Sequence, residues 1–371
     1  MNVLVTGTRA PASMDIIRSL IHQGHRVFGA DSLHFPLGRF VKGLANHFTL
    51  PKPNNNLDLF IKELENILKA HSIDLLIPTC EEIFFLSQGY ERLAKHCRVF
   101  FEPFSRLKDL HNKFKFNQLV DEYGLNAPKS WLLNTEQDKA QIPPNLDIIL
   151  KPVYSRFGSH LIIKPSQEKI DALTLEVPYI AQEFITGKEY SSYAIADKGK
   201  VLIHSSYHSK YTSGPAAGIY FEPVEIQEIS DFIEIFCNQY QFSGQIAFDF
   251  IFNKSKAYAL ECNPRVTSGF HLISEQINWP SLLQGQVQTY SLSSKPYMLG
   301  LAMKLYGFGY FCRDPNLFMK DYFRAHDVLK NRAYPWFGVK SLLTLANISA
   351  RMIKERKNFH CASTDDIEYN G

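Results

Sequence analysis

The sequence of 371 residues lacks several patterns that would assign it to a specialised class of protein. Its six cysteines show neither a CxxC pair nor another spacing typical of zinc ligands, so we expect reduced thiols rather than a disulfide framework. A net charge of only +3 gives no electrostatic indication of a nucleic-acid partner. Lysine or arginine interrupts the long apolar runs before they reach the roughly 20 residues that span a bilayer. The length predicts two or three domains with a full core and no transmembrane span.

The first third of the chain alternates strand-like and helix-like patterns, which predicts an α/β domain with a parallel sheet. It starts with MNVLVTG and shows no secretory signal pattern, so we expect a cytoplasmic protein. The predicted strands are 3–6, 26–30, 74–78 and 97–101. The predicted helices are 13–23, 57–70 and 82–95.

The loop after the first predicted strand invites a dinucleotide-binding interpretation. Gly7 lies in that loop and Asp31 follows the second strand, where an acid can hold ribose hydroxyls. Only one glycine of the GxGxxG pattern is present, however, and Arg9 and Pro11 stand where bare backbone should approach a pyrophosphate. We therefore favour a Rossmann-like domain that binds no NAD and keep an NAD-dependent oxidoreductase as an alternative.

The loop after the third predicted strand contains two adjacent acids. Thr79 and Glu82 have the spacing of a capping box for the next helix. Because loops at the carboxyl ends of parallel strands form the usual ligand crevice, Glu81 and Arg9 are weaker candidates for substrate contacts.

A second domain is predicted to begin with a helix over 108–124. Gly124 is the expected C-cap of this helix. The strand 148–152 then carries Lys151, and a loop over 155–160 leads into a returning strand. A lysine beside a loop of small residues suits the phosphates of a nucleotide, although a surface lysine on an edge strand would explain Lys151 by itself. The segment 181–190 is expected to be extended, and its backbone can then form hydrogen bonds with the edge of an adenine. The alternative interpretation is that this segment is only a linker between domains.

The most informative stretch is GQIAFDFIFNKSKAYALECNPRVTSG, residues 244–269. It places Asp249 on one strand and Glu261, Asn263 and Arg265 on the next, where residues two apart share a face. Two carboxylates and an amide oxygen are hard ligands suited to Mg²⁺. The arginine on the same face can bind a phosphate or carboxylate with two hydrogen bonds.

Taken in order along the chain, these elements resemble the ATP-grasp superfamily, specifically the branch of carboxylate ligases similar to carbamoyl-phosphate synthase and biotin carboxylase. The resemblance covers residues 1 to about 290 and implies an α/β and α+β protein. The expected parts are a Rossmann-like preceding domain (1–108), a first ATP-grasp lobe (109–186), a second lobe with the metal site (187–288) and a mostly helical C-terminal extension (289–371).

The resemblance also implies roles for individual residues. Lys113 looks like the first nucleotide-binding lysine, with Lys115 as the competing choice, and Arg265 and Lys151 look catalytic. The metal ligands implied for two Mg²⁺ ions, or for Mn²⁺ in their place, are Asp249, Glu261 and Asn263. The full set of implied nucleotide-binding residues is Lys113, Lys151, Ser155, Gly158, Ser159, Gln182, Glu183, Phe184, Ile185 and Glu189. His208 and Lys210 could add phosphate contacts, or could lie on a solvated strand face.

The implied activity is that of an ADP-forming ligase, in which ATP activates a small-molecule carboxylate as an acyl phosphate and an amine then attacks it. A homodimer is left open. The alternatives are the NAD-dependent oxidoreductase and a nucleotide-binding protein without catalysis.

The C-terminal region is basic and aromatic, with twelve lysines and arginines against seven acids over 285–371. We favour a helical cap that packs on the ATP lobes, over a basic amphipathic surface that contacts a membrane or an anionic acceptor. The stretch 364–368 is expected to be a solvated tail.

Overall fold

The computed structural model describes residues 1–155, 160–214, 217–330, 337–356 and 359–371. Within those ranges the strands form three sheets, of five, four and seven strands. None of the described helices has both the length and the apolar character needed to cross a membrane.

The first sheet is parallel, as the alternating pattern predicts, and its strand order is β3-β2-β1-β4-β5. Its strands are β1 (Asn2–Thr6), β2 (Arg26–Asp31), β3 (Asn46–Thr49), β4 (Leu75–Ile77) and β5 (Arg98–Val99). The helices between them are α1 (Pro11–His22), α2 (Leu57–Ala70), α3 (Glu82–Gln88) and α4 (Tyr90–Leu93).

Two details of this sheet differ from the sequence prediction. The edge strand β3 was missed because NHFT is short, polar and partly exposed, so it lacks the apolar signal of a central strand. The helix predicted over 82–95 is wrong as a single element, because it breaks at Gly89. A Cβ at Gly89 would lie 2.6 Å from the Ile61 side chain, so this close approach to α2 requires glycine.

The second sheet is antiparallel and has the order β6-β9-β7-β8. The helices that lead into it are α5 (Phe104–His111) and α6 (Lys113–Glu122), and α7 (Gln167–Asp171) lies between its last two strands along the chain. Its strands are β6 (Ser130–Leu133), β7 (Ile148–Pro152), β8 (Ile162–Ile163) and β9 (Tyr179–Glu183).

The single helix predicted over 108–124 is wrong, because the chain bends at Asn112. The Asn112 side chain accepts hydrogen bonds from the backbone N–H groups of Phe114 and Lys115, at 3.1 and 3.0 Å, and so caps the start of α6. The predicted C-terminal glycine is confirmed, since Gly124 follows α6 with a φ of +70°. The bend at Asn112 places Lys113 in the first turn of α6.

The third sheet has the order β14-β13-β10-β11-β12-β15-β16, and all its pairs are antiparallel except the last. Its strands are β10 (Lys188–Asp197), β11 (Lys200–Ser213), β12 (Ala217–Val224), β13 (Gly244–Asn253), β14 (Lys256–Asn263), β15 (Tyr297–Met298) and β16 (His326–Asp327). The helix α8 (Gln227–Tyr240) covers it, and the rings of Phe236 and Phe116 both pack on Phe248, with centroids 5.1 and 5.9 Å away. Phe248 is therefore buried on one face of β13, and Asp249 lies on the opposite face.

The remaining helices are α9 (Trp279–Leu283), α10 (Gly300–Tyr306), α11 (Phe308–Arg313), α12 (Pro315–Arg324), α13 (Phe337–Glu355) and α14 (Phe359–Thr364). The prediction of a solvated tail over 364–368 is wrong, because Asp366 and Ile367 are both buried. Asp366 accepts hydrogen bonds from the Arg9 guanidinium, which lies in the loop after β1. This ion pair fixes the C-terminal segment against the first sheet.

Candidate active site

Two carboxylates face each other across β13 and β14. Asp249 and Glu261 are register partners in this antiparallel pair, and Asn263 follows on the same face of β14. The Asn263 side chain donates to Asp249 Oδ2 at 3.1 Å, and the Ser191 hydroxyl donates to Asp249 Oδ1 at 2.6 Å. The structure thus brings together the three residues that the strand spacing placed on one face.

The two carboxylates have opposite electrostatic surroundings. Burial, followed by the negative charge of Glu261, raises the pKa of Asp249 above its ordinary value. Burial opposes ionisation of Glu261 as well, but the ammonium groups of Lys113 and Lys151 lower the pKa of Glu261 below its ordinary value. A divalent cation would relieve the repulsion at Asp249, and the two carboxylates with an amide provide the hard oxygen donors that Mg²⁺ prefers.

Two buried lysines from different elements lie beside these acids. Lys113 is only 3% exposed, and its Nζ lies 3.5 Å from Glu261 Oε2 and donates to the Ser155 carbonyl at 2.9 Å. Lys151 on β7 is also buried, and this burial lowers its pKa to about 8. Lys115 points away, because its ammonium pairs with Asp109 at 2.6 Å on the surface. Lys113 is therefore the lysine of α6 that reaches the acidic cluster.

Arg265 connects the cluster to the first sheet. Its Nη2 donates to Asn263 Oδ1 at 3.1 Å and lies 3.4 Å from Glu81 Oε1. Glu81 is fully buried and belongs to the loop at the carboxyl end of β4, which is where parallel sheets usually bind ligands. The weaker candidate Glu81 thus lies at the site.

His111, the last residue of α5, was missed by the sequence analysis. Its ring packs on Phe84 and Tyr154, with centroids 4.6 and 5.6 Å away, and its buried Nε2 has no hydrogen-bond partner among the described residues. Burial, together with the nearby charges of Lys113 and Arg265, lowers its pKa to about 4, which keeps the ring neutral near pH 7. No local motif marks this histidine, because the bend at Asn112 is what brings it to the site.

A family comparison decides what this arrangement is. Residues 110–269, less than half of the chain, match the family model described as an ATP-grasp domain. That range includes both buried lysines, the opposed carboxylates and Arg265. The matched segment is of the ATP-grasp type.

The chain is also similar to two curated proteins. It is 25% identical over 181 residues to an uncharacterized protein of Methanocaldococcus jannaschii, an alignment that covers 45% of this chain and 44% of the relative. It is 23% identical over 194 residues to the arginine-specific large chain of carbamoyl phosphate synthase from Bacillus subtilis, covering 48% of this chain and 19% of that one. The chain thus spans less than half the length of these relatives.

Solved structures share the fold at low sequence identity. An L-amino acid ligase from Bacillus licheniformis gives a TM-score of 0.61 at 16% identity, over 77% of this chain and 73% of that one. The N5-carboxyaminoimidazole synthetase from Staphylococcus aureus, in complex with ADP, gives a TM-score of 0.66 at 14% identity, over 85% and 86% of the two chains.

The segment expected to contact adenine begins at the end of β9. Gln182 is buried, and its Nε2 has no hydrogen-bond partner among the described residues, so it can donate to a ligand. The backbone N–H of Phe184 is already occupied, because it donates to the Asp147 carbonyl at 2.8 Å. Ile185 follows directly, and Glu189 is exposed at the start of β10.

The Glu183 carboxylate accepts from the Lys129 N–H at 3.3 Å. In the predicted phosphate loop, Ser155 is fixed by its bond from Lys113, whereas Gly158 and Ser159 lie outside the described residues.

The two further phosphate candidates have other partners. Lys210 Nζ lies 2.7 Å from Asp321 Oδ2, and His208 Nδ1 lies 2.9 Å from the Glu189 carbonyl oxygen. The structure therefore separates Lys210 from the lysines of the acidic cluster.

The residues considered for dinucleotide binding already contact other groups of the protein. Asp31 accepts from the Arg9 guanidinium at 2.6 Å and from the Arg9 backbone N–H at 2.8 Å. Gly7, with a φ of +62°, lies against Glu82, whose carboxylate would be 2.4 Å from a Cβ at this position. The glycine is thus required by packing, and neither residue favours an NAD site.

Of the two hydrogen bonds that define the predicted capping box, the one to the Glu82 side chain is present. Glu82 accepts from the Thr79 N–H at 3.0 Å, as a capping box requires. The Thr79 hydroxyl instead donates to the carbonyls of Thr6 and Gly7, and so ties β1 to the loop after β4.

Proposed function

We propose that this ATP-grasp protein is an ADP-forming ligase that joins a small-molecule carboxylate to an amine. One observation carries the proposal: the buried ammonium groups of Lys113 and Lys151 converge on the opposed carboxylates of Asp249 and Glu261. Buried cations require anionic partners, and partly buried carboxylates that face each other favour a metal ion. Magnesium with nucleotide phosphates meets both requirements.

We assign residues 109–186 and 187–288 to the two lobes that enclose ATP, and residues 1–108 to a Rossmann-like preceding domain. Lys113, Lys151 and Ser155 would contact phosphates, and Gln182 would contact the adenine. Asp249, Glu261 and Asn263 would hold one or two Mg²⁺ ions, or Mn²⁺ in their place, and such ions supply charge neutralisation to the phosphates.

In the proposed reaction, a carboxylate oxygen of the substrate attacks the γ-phosphorus of ATP. The bond from that phosphorus to the bridging oxygen breaks, ADP leaves, and an acyl phosphate forms. The amine nitrogen then attacks the acyl carbon, phosphate leaves, and the nitrogen loses its proton to give an amide. The chain contributes position and charge rather than a nucleophile, since Lys113, Lys151 and Arg265 stabilise the negative charge that moves.

Arg265, Glu81 and His111 are our candidates for the acceptor side of the site. Arg265 can bind a carboxylate, while the buried acid of Glu81 and the neutral ring of His111 offer hydrogen bonds of other kinds. These three residues come from the second lobe, the preceding domain and the end of α5, so the acceptor would lie where the three parts meet.

The test is release of ADP and phosphate from ATP and Mg²⁺ with pools of amino acids and small carboxylates. Glu261→Gln serves as the inactive variant, and Glu275→Gln, an exposed acid outside the site, serves as the matched control. We expect release that needs both a carboxylate and an amine and that only Glu261→Gln abolishes. Nucleotide binding without turnover in any pool would favour the non-catalytic alternative, and failure to bind ATP would refute the proposal.

A further inference from the structure

The helices α10, α11 and α12, over residues 300–324, pack with one side on the third sheet. Met303 and Phe318 are buried in a cluster with Tyr220 of β12. Asp321 is buried as well, and it accepts from the Tyr211 hydroxyl at 2.7 Å and pairs with Lys210 at the same distance. These contacts fix the orientation of the three helices on the third sheet.

The outer side of the same helices is apolar and exposed. Phe308 and Phe323 are 70% and 76% exposed, which is unusual for phenylalanine. We call this surface the outer face, and it consists of Leu305, Tyr306, Phe308, Phe311, Leu317, Met319 and Phe323.

The parts of the outer face are connected through the buried ring of Phe318. Phe311 packs on Phe318 with centroids 6.0 Å apart, and Phe323 packs on Tyr322, which itself packs on Phe318. Phe308 and Phe311 are three residues apart in α11, and Met319 and Phe323 are four apart in α12, so each pair shares one side of its helix. Phe308 and Phe311 thus form one row and Met319 and Phe323 another, on two helices that meet where Phe311 packs on Phe318.

Positive charge accompanies the outer face. Within residues 300–324, all of which the structure describes, the exposed cations are Lys304, Arg313, Lys320 and Arg324. The exposed acid of this range is Asp314, and its carboxylate accepts from the Leu317 N–H to cap α12. Arg324 has a distant partner, since its guanidinium lies 3.7 Å from Glu222. The other acid of the range, Asp321, is buried.

We infer that the outer face binds the surface of a lipid bilayer that contains anionic lipids. Exposed aromatic and aliphatic side chains on short helices, together with lysine and arginine, are the combination that inserts shallowly at a membrane interface. A second copy of the chain is a poorer occupant, because a two-fold interface would bring the same cations of both copies together. This inference is independent of the proposed ligase activity.

The test is co-sedimentation of the full chain with vesicles of phosphatidylglycerol and phosphatidylcholine, compared with vesicles of phosphatidylcholine alone. The first variant, Phe308→Ser with Phe323→Ser, removes two exposed rings without opening the buried cluster. The second, Lys304→Glu with Lys320→Glu, reverses charge. Val287→Ser is the matched control, because Val287 is exposed at 56% outside the outer face. Thermal unfolding of each variant verifies that it is folded.

We expect binding to the anionic vesicles that falls about tenfold in each double variant and with added salt, and that is unchanged in the Val287 variant. Lack of binding by the wild-type chain would overturn the inference, as would binding that the Val287 change weakens equally. Concentration-dependent dimers that the phenylalanine changes abolish, without vesicle binding, would also overturn it and identify a second copy as the occupant.

Discussion

The guanidinium of Arg9 and the carboxylate of Asp366 form a buried ion pair 2.7 Å long between positions 357 residues apart. Arg9 also pairs with Asp31, and Asp366 also accepts from the Ser32 hydroxyl at 2.6 Å. The pair joins the C-terminal segment to the carboxyl edge of the first sheet. Three residues after Asp366, the ring of Tyr369 packs on Phe84 with centroids 5.4 Å apart. Phe84 also contacts His111, so the C-terminal segment lies next to the candidate site.

Asp366→Ala is expected to lower the free energy of unfolding by about 3 kcal/mol, because it leaves the buried Arg9 with only part of its compensating charge. Urea unfolding of both proteins measures the difference. Asp58→Ala is the matched control, because Asp58 pairs with Arg92 on the surface and its loss should cost less than about 1 kcal/mol. Equal effects of the two changes would show that the buried pair does not stabilise the fold.

The stabilisation from Asp366 should depend on pH. Burial opposes ionisation of Asp366, but Arg9 and then Arg351 hold the pKa of its carboxyl well below the usual range. A depressed pKa in the folded state gives stability that is complete above the unfolded pKa of about 4 and is lost as the pH falls below it.

The difference in unfolding free energy between the wild type and Asp366→Asn should therefore be constant from pH 7 to about pH 5 and should narrow below about pH 4. Denaturant unfolding at several pH values checks this. A difference that stays constant down to about pH 3 would contradict the assigned role of the charge.

Lys113→Met and Lys115→Met test the choice of Lys113 over Lys115 as the nucleotide-binding lysine. Lys113 is buried beside Glu261, and Lys115 is exposed beside Asp109. If Lys113 contacts phosphate, its loss should lower ATP turnover by about 100-fold or more, whereas the loss of Lys115 should change turnover by less than about threefold. ADP release at saturating substrates measures both. A larger effect at Lys115 would reverse the assignment.

Local periodicity predicted the acidic cluster, but it could not predict what surrounds the cluster. Asp249, Glu261 and Asn263 lie on adjacent strands, so strand spacing places them on one face. The choice of Lys113 over Lys115 depends on a helix that starts one residue after Asn112, and a propensity pattern does not locate a helix start that accurately. His111 reaches the site because of the same bend. Asp366 was misread as solvated because its partner, Arg9, is at the other end of the chain.

Removal of magnesium should change nucleotide binding in a way that depends on Glu261. The facing carboxylates of Asp249 and Glu261 repel nucleotide phosphates unless a cation lies between them, so ATP with Mg²⁺ should raise the melting temperature of the wild type more than ATP with a chelator. In Glu261→Gln one of the negative charges is absent. ATP should then stabilise that variant nearly equally with and without Mg²⁺. Thermal shift measurements at fixed ATP check this without relying on turnover, and Glu275→Gln should behave as the wild type. A magnesium effect of full size in Glu261→Gln would place the metal elsewhere.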